Sequence, residues 1–525
     1  MSTAGAYVRL IKLGWVLMRE GVIAALPAEG LPPLIKFGHS AAGLFARKRA
    51  KSSTQSDNLA RAVSRLGPSY VKIGQFLATR PDVVGVEFAA DLSQLQDRMS
   101  TFPTALATAQ IEASLGRRID ALFAEFGEPV AAASIAQVHP AIVVKDGATE
   151  KVAVKVIRPG VRERFAKDIE TNYVVARMQE RFYPPARRLR PIEVTKTLEQ
   201  TTRIEMDLRL EAAALSELAE NITDDPGFRV PKVDWERTGR DVVTMEWIDG
   251  VKMSDIDGLK AAGHDLNRLA ENLMQSFLRQ TLRDGFFHAD MHQGNLFVDA
   301  AGVIVAVDMG IVGRLGKKER RFLAEILFGF ITRDYRRVAD VHFEAGYVPS
   351  HHNHASFAQA IRAIGEPIHG QPADTISMAK LLTLLFEVTE LFDMETRPEL
   401  IMLQKTMVVV EGVSRSLNPH FNMWKASEPV VGGWIRDNLG PKRIVGDLRE
   451  ALSAGFRFAE AMPEITRKAE NFALQLSDMA ERGLRFDSAT ADAIGKSEAH
   501  ASRWGRVALW IIAVALVVIA VKLSV

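Results

Sequence analysis

Cysteine is absent from this chain of 525 residues. This absence excludes disulfide bonds, a thiolate metal site and a cysteine nucleophile, and it fits a reducing compartment. The chain also lacks an excess of charge of either sign, since 66 Lys and Arg residues against 64 Asp and Glu residues leave a net charge of +2. Such a balance gives no electrostatic basis for binding nucleic acid. The length is sufficient for a two-lobed catalytic core with extensions.

Candidate catalytic residues are concentrated in residues 288–310. The segment 288–295 reads His-Ala-Asp-Met-His-Gln-Gly-Asn, and Asp308-Met309-Gly310 follows it. Asp290 and Asn295 have the Asp-x-x-x-x-Asn spacing of a kinase catalytic loop, and the second motif is a variant of Asp-Phe-Gly. Phosphoryl transfer requires a carboxylate that orients the attacking group and oxygen ligands for Mg²⁺. We therefore expect Asp290 to be catalytic and Asn295 and Asp308 to be metal ligands.

A β-hairpin is predicted between these two motifs. Residues 296–298 and 303–307 are short apolar runs joined by a polar turn that contains Gly302. A hairpin there would bring Asn295 and Asp308 side by side at its open end.

Upstream, Val152-Ala153-Val154-Lys155 matches the strand whose lysine binds nucleotide phosphates. An Ala-rich run precedes it, with alanine at each position of the usual Gly-x-Gly-x-x-Gly. Alanine restricts the backbone more than glycine does, so we expect a stiffer phosphate loop. Although such a run often forms a helix, Gly127, Pro129 and Pro140 flank this one and favour a loop. The candidate nucleotide-binding positions here are Ala131, Ala132, Ala133, Ser134, Ile135, Ala136 and Val138.

Residues 193–220 are rich in helix formers and contain candidate carboxylate partners for Lys155. Both Glu205 and Glu211 qualify, and the sequence leaves the choice open. The alternative is a solvated helix with Arg203–Asp207 and Glu205–Arg209 pairs. Downstream, the apolar run 242–250 reads as the strand that joins two kinase lobes, which makes Met245 and Glu246 candidate nucleotide contacts. Any core strand ending in a turn would have the same pattern.

These motifs resemble the UbiB family of atypical kinase-like proteins, which support ubiquinone biosynthesis at membranes. The family's Lys-x-Gly-Gln motif appears as Lys72-Ile73-Gly74-Gln75, and its Glu-x-Asp motif as Glu205-Met206-Asp207. The resemblance extends from about Ser64 to Gly313. It implies a Mg²⁺-dependent ATPase whose Lys72 and Gln75 guard the active site against protein substrates, with Glu205 as a partner of that extension.

Two departures from ordinary protein kinases argue against phosphorylation of proteins. Ala289 replaces the Arg of His-Arg-Asp, and no Ala-Pro-Glu follows Gly310. Two other functions stay open: a small-molecule or lipid kinase of the aminoglycoside or choline kinase type, and a nucleotide-binding pseudokinase scaffold.

The ends of the chain point to a membrane. Residues 507–521 are all apolar and lie between Arg506 and Lys522, which favours a short transmembrane helix with its N-terminal side in the cytoplasm. A buried core helix is the alternative. Residues 8–26 mix basic and apolar side chains, as in a helix that lies at a membrane surface or packs on protein. We expect the catalytic domain to face the cytoplasm at the inner membrane.

The predicted fold class is α+β: a bilobal protein-kinase-like fold with helical extensions and a C-terminal transmembrane helix. Expected partners are membrane lipids or isoprenoid quinone precursors, and enzymes of ubiquinone biosynthesis, but no nucleic acid. The tract His351-His352-Asn353-His354 is either a polar loop or a metal site. The predicted segments are 1–60 (amphipathic segment and linker), 61–118 (Lys-x-Gly-Gln extension), 119–250 (small lobe), 251–420 (large lobe), 421–503 (helical tail) and 504–525 (anchor).

Overall fold

The computed structural model describes residues 3–25, 55–78, 91–92, 100–182, 190–370, 387–389, 391–394 and 398–439. The strands are β1 Glu125–Phe126, β2 Ala131–Ala132, β3 Ala136–Lys145, β4 Ala148–Ile157, β5 Phe228–Arg229, β6 Val242–Glu246, β7 Gly250–Lys252, β8 Phe286–His288, β9 Leu296–Asp299, β10 Ile304–Ala306 and β11 Val312–Arg314. The helices are α1 Thr3–Arg19, α2 Val22–Ala25, α3 Gln55–Leu66, α4 Pro68–Ala78, α5 Thr104–Leu115, α6 Ile119–Leu122, α7 Val161–Phe182, α8 Pro191–Glu205, α9 Leu208–Asn221, α10 Ile256–Ala261, α11 Leu266–Arg279, α12 Lys317–Thr332, α13 Tyr335–Glu344, α14 His354–Gly370, α15 Pro398–Leu417 and α16 Met423–Leu439.

The small lobe contains an antiparallel sheet in the order β1-β3-β4-β6, with β2 paired to β3. The β3–β4 hairpin turns at Asp146 and Gly147, whose φ angles of 51° and 81° suit an Asp-Gly type I′ turn. Valines alternate along β4 at positions 152, 154 and 156, as a strand with one buried face requires. They pack with α5 and α6 in a small apolar core that includes Phe102, Ile111, Leu122, Val143, Val152 and Val154.

Residues 193–220, which are rich in helix formers, belong to two helices, α8 and α9. The break lies at Met206, and the Asp207 carboxylate caps α9 by accepting the Arg209 N–H at 3.2 Å. The alternative ion pairs suggested by a single solvated helix are therefore wrong. Arg203 pairs with Glu199, and Arg209 pairs with Asp207.

The large lobe is mainly helical and includes two small sheets. One has the order β5-β10-β9-β7 and the other pairs β8 with β11. The predicted hairpin is confirmed: β9 and β10 are antiparallel, Leu296 lies opposite Ala306, and Gly302 takes a φ of 78° in the turn. The main apolar core lies between these strands and helices α11 and α15, with Leu273, Phe277 and Val410 fully buried.

Helices α1 to α4 form a separate cluster at the N-terminal side. Leu59 and Val63 of α3 pack with Val71 of α4 and Val22 of α2. Arg9 attaches α1 to α7 through hydrogen bonds of 3.0 Å to both Thr171 and Glu170. The predicted amphipathic segment 8–26 is thus helical as far as Ala25, with a break between α1 and α2 where Gly21 has a φ of 78°.

The mixed helix-and-sheet part of the predicted fold class is confirmed, but the predicted transmembrane helix is not, and we correct it. Within the described residues, no helix is long and apolar enough to cross a membrane. The prediction rested on residues 504–525, which lie outside the described residues, as do residues 440–503 of the predicted helical tail. Its uninterrupted apolar run, 507–521, is also shorter than the roughly 20 residues that a membrane span needs.

Candidate functional site

The ammonium group of Lys155 lies between two carboxylates. Lys155 is on β4, and its Nζ donates to Glu211 of α9 at 2.8 and 3.0 Å and to Asp308 Oδ2 at 3.1 Å. Glu211 is therefore the partner of Lys155, which answers the question that the sequence left open.

Burial and charge shift all three pKa values in this trio. Burial opposes a charged Lys155, but the charges of Asp308 and Glu211 outweigh it and raise the pKa of Lys155 above its ordinary value. Burial raises the pKa of Glu211 to about 7, even though Lys155 lies beside it. Desolvation works against an ionised Asp308, yet Lys155 and the Gly310 N–H hold the pKa of Asp308 well below its usual range. Asp308 is therefore anionic at neutral pH, as a metal ligand must be.

The catalytic loop follows β8 and leads into the β9–β10 hairpin. The buried His288 accepts the Asp290 N–H at Nδ1 over 3.2 Å, and burial lowers the pKa of His288. Asn295 donates its Nδ2 to the carbonyl of Asp290 at 3.2 Å. At the open end of the hairpin the Val307 N–H bonds to the Asn295 carbonyl at 3.0 Å, which puts Asp308 next to Asn295. The structure thus brings Asp290, Asn295 and Asp308 together.

Helix α15 supports this loop from behind, and the sequence did not reveal it. The buried Thr406 hydroxyl has two acceptors within hydrogen-bond distance, the Ala289 carbonyl of the loop at 2.9 Å and the Met402 carbonyl of its own helix at 2.8 Å. Gln293 Nε2 donates to Ser416 Oγ at 2.6 Å on the same helix. The one available signal was a threonine within a largely apolar helix, and it does not identify a partner more than a hundred residues away.

The Ala-rich run forms a tight hairpin rather than a helix. Ala131 lies opposite Val138 and Ala132 opposite Gln137, and the Ala133 N–H closes the turn on the Ala136 carbonyl at 2.8 Å. Ile135 accepts the backbone N–H of Arg158 at 2.8 Å, and Ser134 is buried. The turn is therefore held from both sides, as a stiff phosphate loop would be.

The Lys-x-Gly-Gln motif lies on α4 and meets the Glu-x-Asp motif. Lys72 forms an ion pair with Glu205, the last residue of α8, and both side chains are largely buried. Ile73 and Phe76 of the same helix pack against the main core. Gln75 is partly buried one turn further along. The roles assigned to Lys72 and Gln75 stay predictions.

Met245 and Glu246 are the last two residues of β6, the strand at one end of the small-lobe sheet order. Met245 is buried opposite Ala153, while Arg229 engages the Glu246 carboxylate at 2.9 and 3.1 Å. A contact with nucleotide at these two positions also stays a prediction.

The donor set suits Mg²⁺ and a triphosphate. Asn295 uses its amide nitrogen on the Asp290 carbonyl, so its amide oxygen is the atom that can coordinate a cation. Together with the anionic Asp308 it offers the oxygen ligands that Mg²⁺ prefers. Lys155 provides the positive charge that a phosphate oxygen would contact.

Comparison with known proteins agrees with this geometry. Residues 94–342 match the ABC1 atypical kinase-like domain, and residues 361–422 match the UbiB helical domain. The chain is 38% identical over 466 residues to the probable protein kinase UbiB of Marinobacter nauticus, covering 88% of this chain and 84% of that protein. Its identity to the protein of the same name from Cellvibrio japonicus is 37% over 490 residues, covering 92% and 87%.

A solved structure of Rv3197 from Mycobacterium tuberculosis with erythromycin has a similar fold, with a TM-score of 0.50 and 23% identity, covering 75% of this chain and 98% of that one. Fold and site together define an atypical kinase-like protein, and the kinase-like part of the predicted fold is confirmed. The similar proteins narrow this class to one family. The chain belongs to the UbiB family.

Proposed function

We propose that this protein is a Mg²⁺-dependent ATPase that supports ubiquinone biosynthesis at a membrane. The carrying observation is the convergence of Lys155, Glu211, Asp290, Asn295 and Asp308 in one cleft. These are the positions that phosphoryl transfer requires, and a scaffold without turnover would have no need for the complete set. The link to ubiquinone comes from the UbiB relatives.

Each of these residues has a distinct part in the proposed reaction. Lys155 binds a phosphate oxygen, and Glu211 holds the lysine in position. Asp290 orients the attacking water, and its loop is fixed by His288 and Thr406. Mg²⁺, when bound by Asn295 and Asp308, would neutralise charge on the phosphates.

Two features argue against phosphorylation of other proteins. After Gly310 the chain enters β11 at Val312 and α12 at Lys317, so a long activation segment has no room. The ion pair between Lys72 and Glu205 ties α4 to α8 close to the Glu211 side of the cleft. We propose that this added helix guards the site against protein substrates.

The central test is Asp308→Asn, which removes a charge with little change in shape. We expect Mg²⁺-dependent ATP hydrolysis to fall by about 100-fold or more, since electrostatic stabilisation is the main catalytic contribution in such a site. Asp257→Asn, at an exposed position in α10, is the matched control. Unchanged hydrolysis in a folded Asp308→Asn protein would refute the assignment. Labelled products should be orthophosphate and ADP, whereas a phosphorylated small molecule would indicate the kinase alternative.

The exposed face of α1 supports contact with a membrane surface. Tyr7, Val8, Ile11 and Trp15 are 50%, 67%, 73% and 47% exposed and follow one another at helical spacing. The Arg19 guanidinium lies 5.9 Å from the Trp15 ring, at the same side of the helix. An apolar stripe beside basic residues is typical of helices that lie in the interface of anionic bilayers.

Vesicle flotation with the full chain tests this proposal. Paired Val8→Glu and Ile11→Glu substitutions should reduce binding to vesicles containing anionic lipid. Leu106→Glu, at an exposed apolar position on α5, is the control and should leave binding unchanged. Equal binding of all the variants would exclude α1 as a contact.

We propose that the protein is located at the cytoplasmic face of the inner membrane in cells. Its proposed partners are isoprenoid quinone precursors and biosynthetic enzymes. Quinone profiles of a deletion strain would test this proposal.

A further inference from the structure

A second group of chemically versatile side chains lies in the large lobe, outside the nucleotide cleft. His352 Nε2 is 3.3 Å from Asp393 Oδ2, and His351 Nε2 is 3.9 Å from the same oxygen. Ligand atoms from the three side chains all lie within 4.8 Å of one another. His351 and His352 precede α14, whereas Asp393 lies in a turn before α15. Two distant segments therefore present three donors to one point.

Packing orients one of these three donors, His352. The His352 ring contacts the Phe392 ring at 5.3 Å, and Phe392 is buried in an apolar cluster with Phe357. The His352 side chain is only 19% exposed. Asp393 has a φ of 48°, in the left-handed region that aspartate tolerates better than most residues. Its Oδ2 lies within 3.9 Å of a ring nitrogen of each imidazole.

The donor chemistry selects the cation. Mg²⁺ and Ca²⁺ prefer oxygen ligands alone, whereas imidazole together with carboxylate suits Zn²⁺. In a tetrahedral Zn²⁺ site, bonds of about 2.0–2.2 Å put ligand atoms roughly 3.3–3.6 Å apart. The 3.3 and 3.9 Å separations are close to that spacing. Three protein ligands would leave the fourth position for water.

We propose that His351, His352 and Asp393 form a Zn²⁺ site that fastens the linker between the two family domains to the helical domain. The kinase-like match ends at residue 342 and the helical match begins at 361, so the two histidines lie between them. Asp393 lies inside the helical match. A bound ion would stabilise the folded state by binding it alone. This proposal does not depend on the nucleotide chemistry.

The test is calorimetric titration of the tag-free full chain with ZnCl₂. One Zn²⁺ should bind, and the affinity should fall by about 100-fold or more in Asp393→Asn, because the loss of a ligand should cost at least as much as the loss of an outer-shell partner. Asparagine keeps the tolerance for a positive φ, so the turn should survive. A double His351→Gln, His352→Gln variant should lose this binding altogether.

His354→Gln is the matched control. His354 is in the same tract, but it pairs with Asp340 at 3.1 Å and stacks on Phe343. We expect this variant to bind Zn²⁺ like the parent, and Zn²⁺ to raise the melting temperature of these two proteins only. Equal affinity in parent and Asp393→Asn would overturn the proposal and assign the ion to another site, such as His292 beside Asp290. Absence of any Zn²⁺ binding by the parent would also overturn it.

Discussion

Two buried lysine–glutamate ion pairs lie near the cleft, and they differ in the elements that they join. Lys155 of β4 contacts both Glu211 of α9 and Asp308 of the Asp-Met-Gly motif, whereas the ion pair between Lys72 and Glu205 joins α4 to the end of α8. A lysine shared by two carboxylates can transfer part of its contact to an incoming phosphate while one acid keeps it in place. The Lys72–Glu205 pair instead joins two helices, so we expect it to act as a fastening between them. We therefore expect similar chemistry to serve binding in one place and closure in the other.

Among the variants that test this comparison, we expect Lys155→Met to have the largest effect on ATP turnover. This change removes the phosphate contact and leaves the buried Glu211 and the partly exposed Asp308 without their cation, so ATP turnover should fall by about 100-fold or more. Phosphate release and far-UV circular dichroism measure activity and folding. Lys151→Met, on the same strand but exposed over the Trp247 ring, is the control and should behave like the parent. Turnover that survives in Lys155→Met would remove the distinction between the two pairs.

A second effect concerns the pH dependence of stability. Burial raises the pKa of Glu211 from its ordinary 4.5 to about 7. A raised folded-state pKa means that the stabilising contribution is complete below pH 4.5 and is lost as the pH rises through about 7. Between pH 4.5 and about 7, the free energy of unfolding of the parent should fall relative to that of Glu211→Gln, by on the order of 2–3 kcal/mol. Urea unfolding of both proteins across this range measures the difference, and parallel curves would contradict it.

Thr406→Val, which alters the support of the catalytic loop, should have a moderate effect on the rate. Loss of its hydrogen bond to Ala289 should lower kcat about tenfold, with little change in KM for ATP, because the loop and not the phosphate contact is disturbed. Thr406→Ser keeps the hydroxyl and should restore most of the rate. Equal losses in kcat and affinity, or no rescue by serine, would mean that Thr406 is only a packing residue.

The smallest effect is expected from the fastening pair itself. Lys72→Ala and Glu205→Gln should each change turnover a few-fold, and the double variant should resemble the single variants, with a coupling of about 1 kcal/mol. Lys72→Ala combined with Glu211→Gln should instead be additive. Autophosphorylation of Lys72→Ala, assayed in parallel, tests whether α4 excludes protein side chains. Full additivity between Lys72 and Glu205 would show that their contact has no bearing on the reaction.

Local sequence patterns correctly predicted those structural elements that depend only on residues close together in the chain. The hairpin from Leu296 to Ala306 follows from apolar runs around Gly302, and the strand around Lys155 follows from alternating valines. The choice between Glu205 and Glu211 could not be predicted, because it depends on the break at Met206 that turns α9 away from α8. Thr406 was missed for a different reason: its partner, the Ala289 carbonyl, lies more than a hundred residues away in the chain. The C-terminal prediction rested on composition alone.

The hydrogen bond from Thr406 to the Ala289 carbonyl bears on whether the kinase-like domain can be separated from the helical domain. The kinase-like match ends at residue 342, so a fragment cut there would retain Lys155, Asp290, Asn295 and Asp308. It would nevertheless lack the helix against which the catalytic loop rests. The helical domain is thus not an accessory that recombination could exchange freely. We expect the catalytic loop and α15 to be inherited together, so that selection acts on them as a single unit.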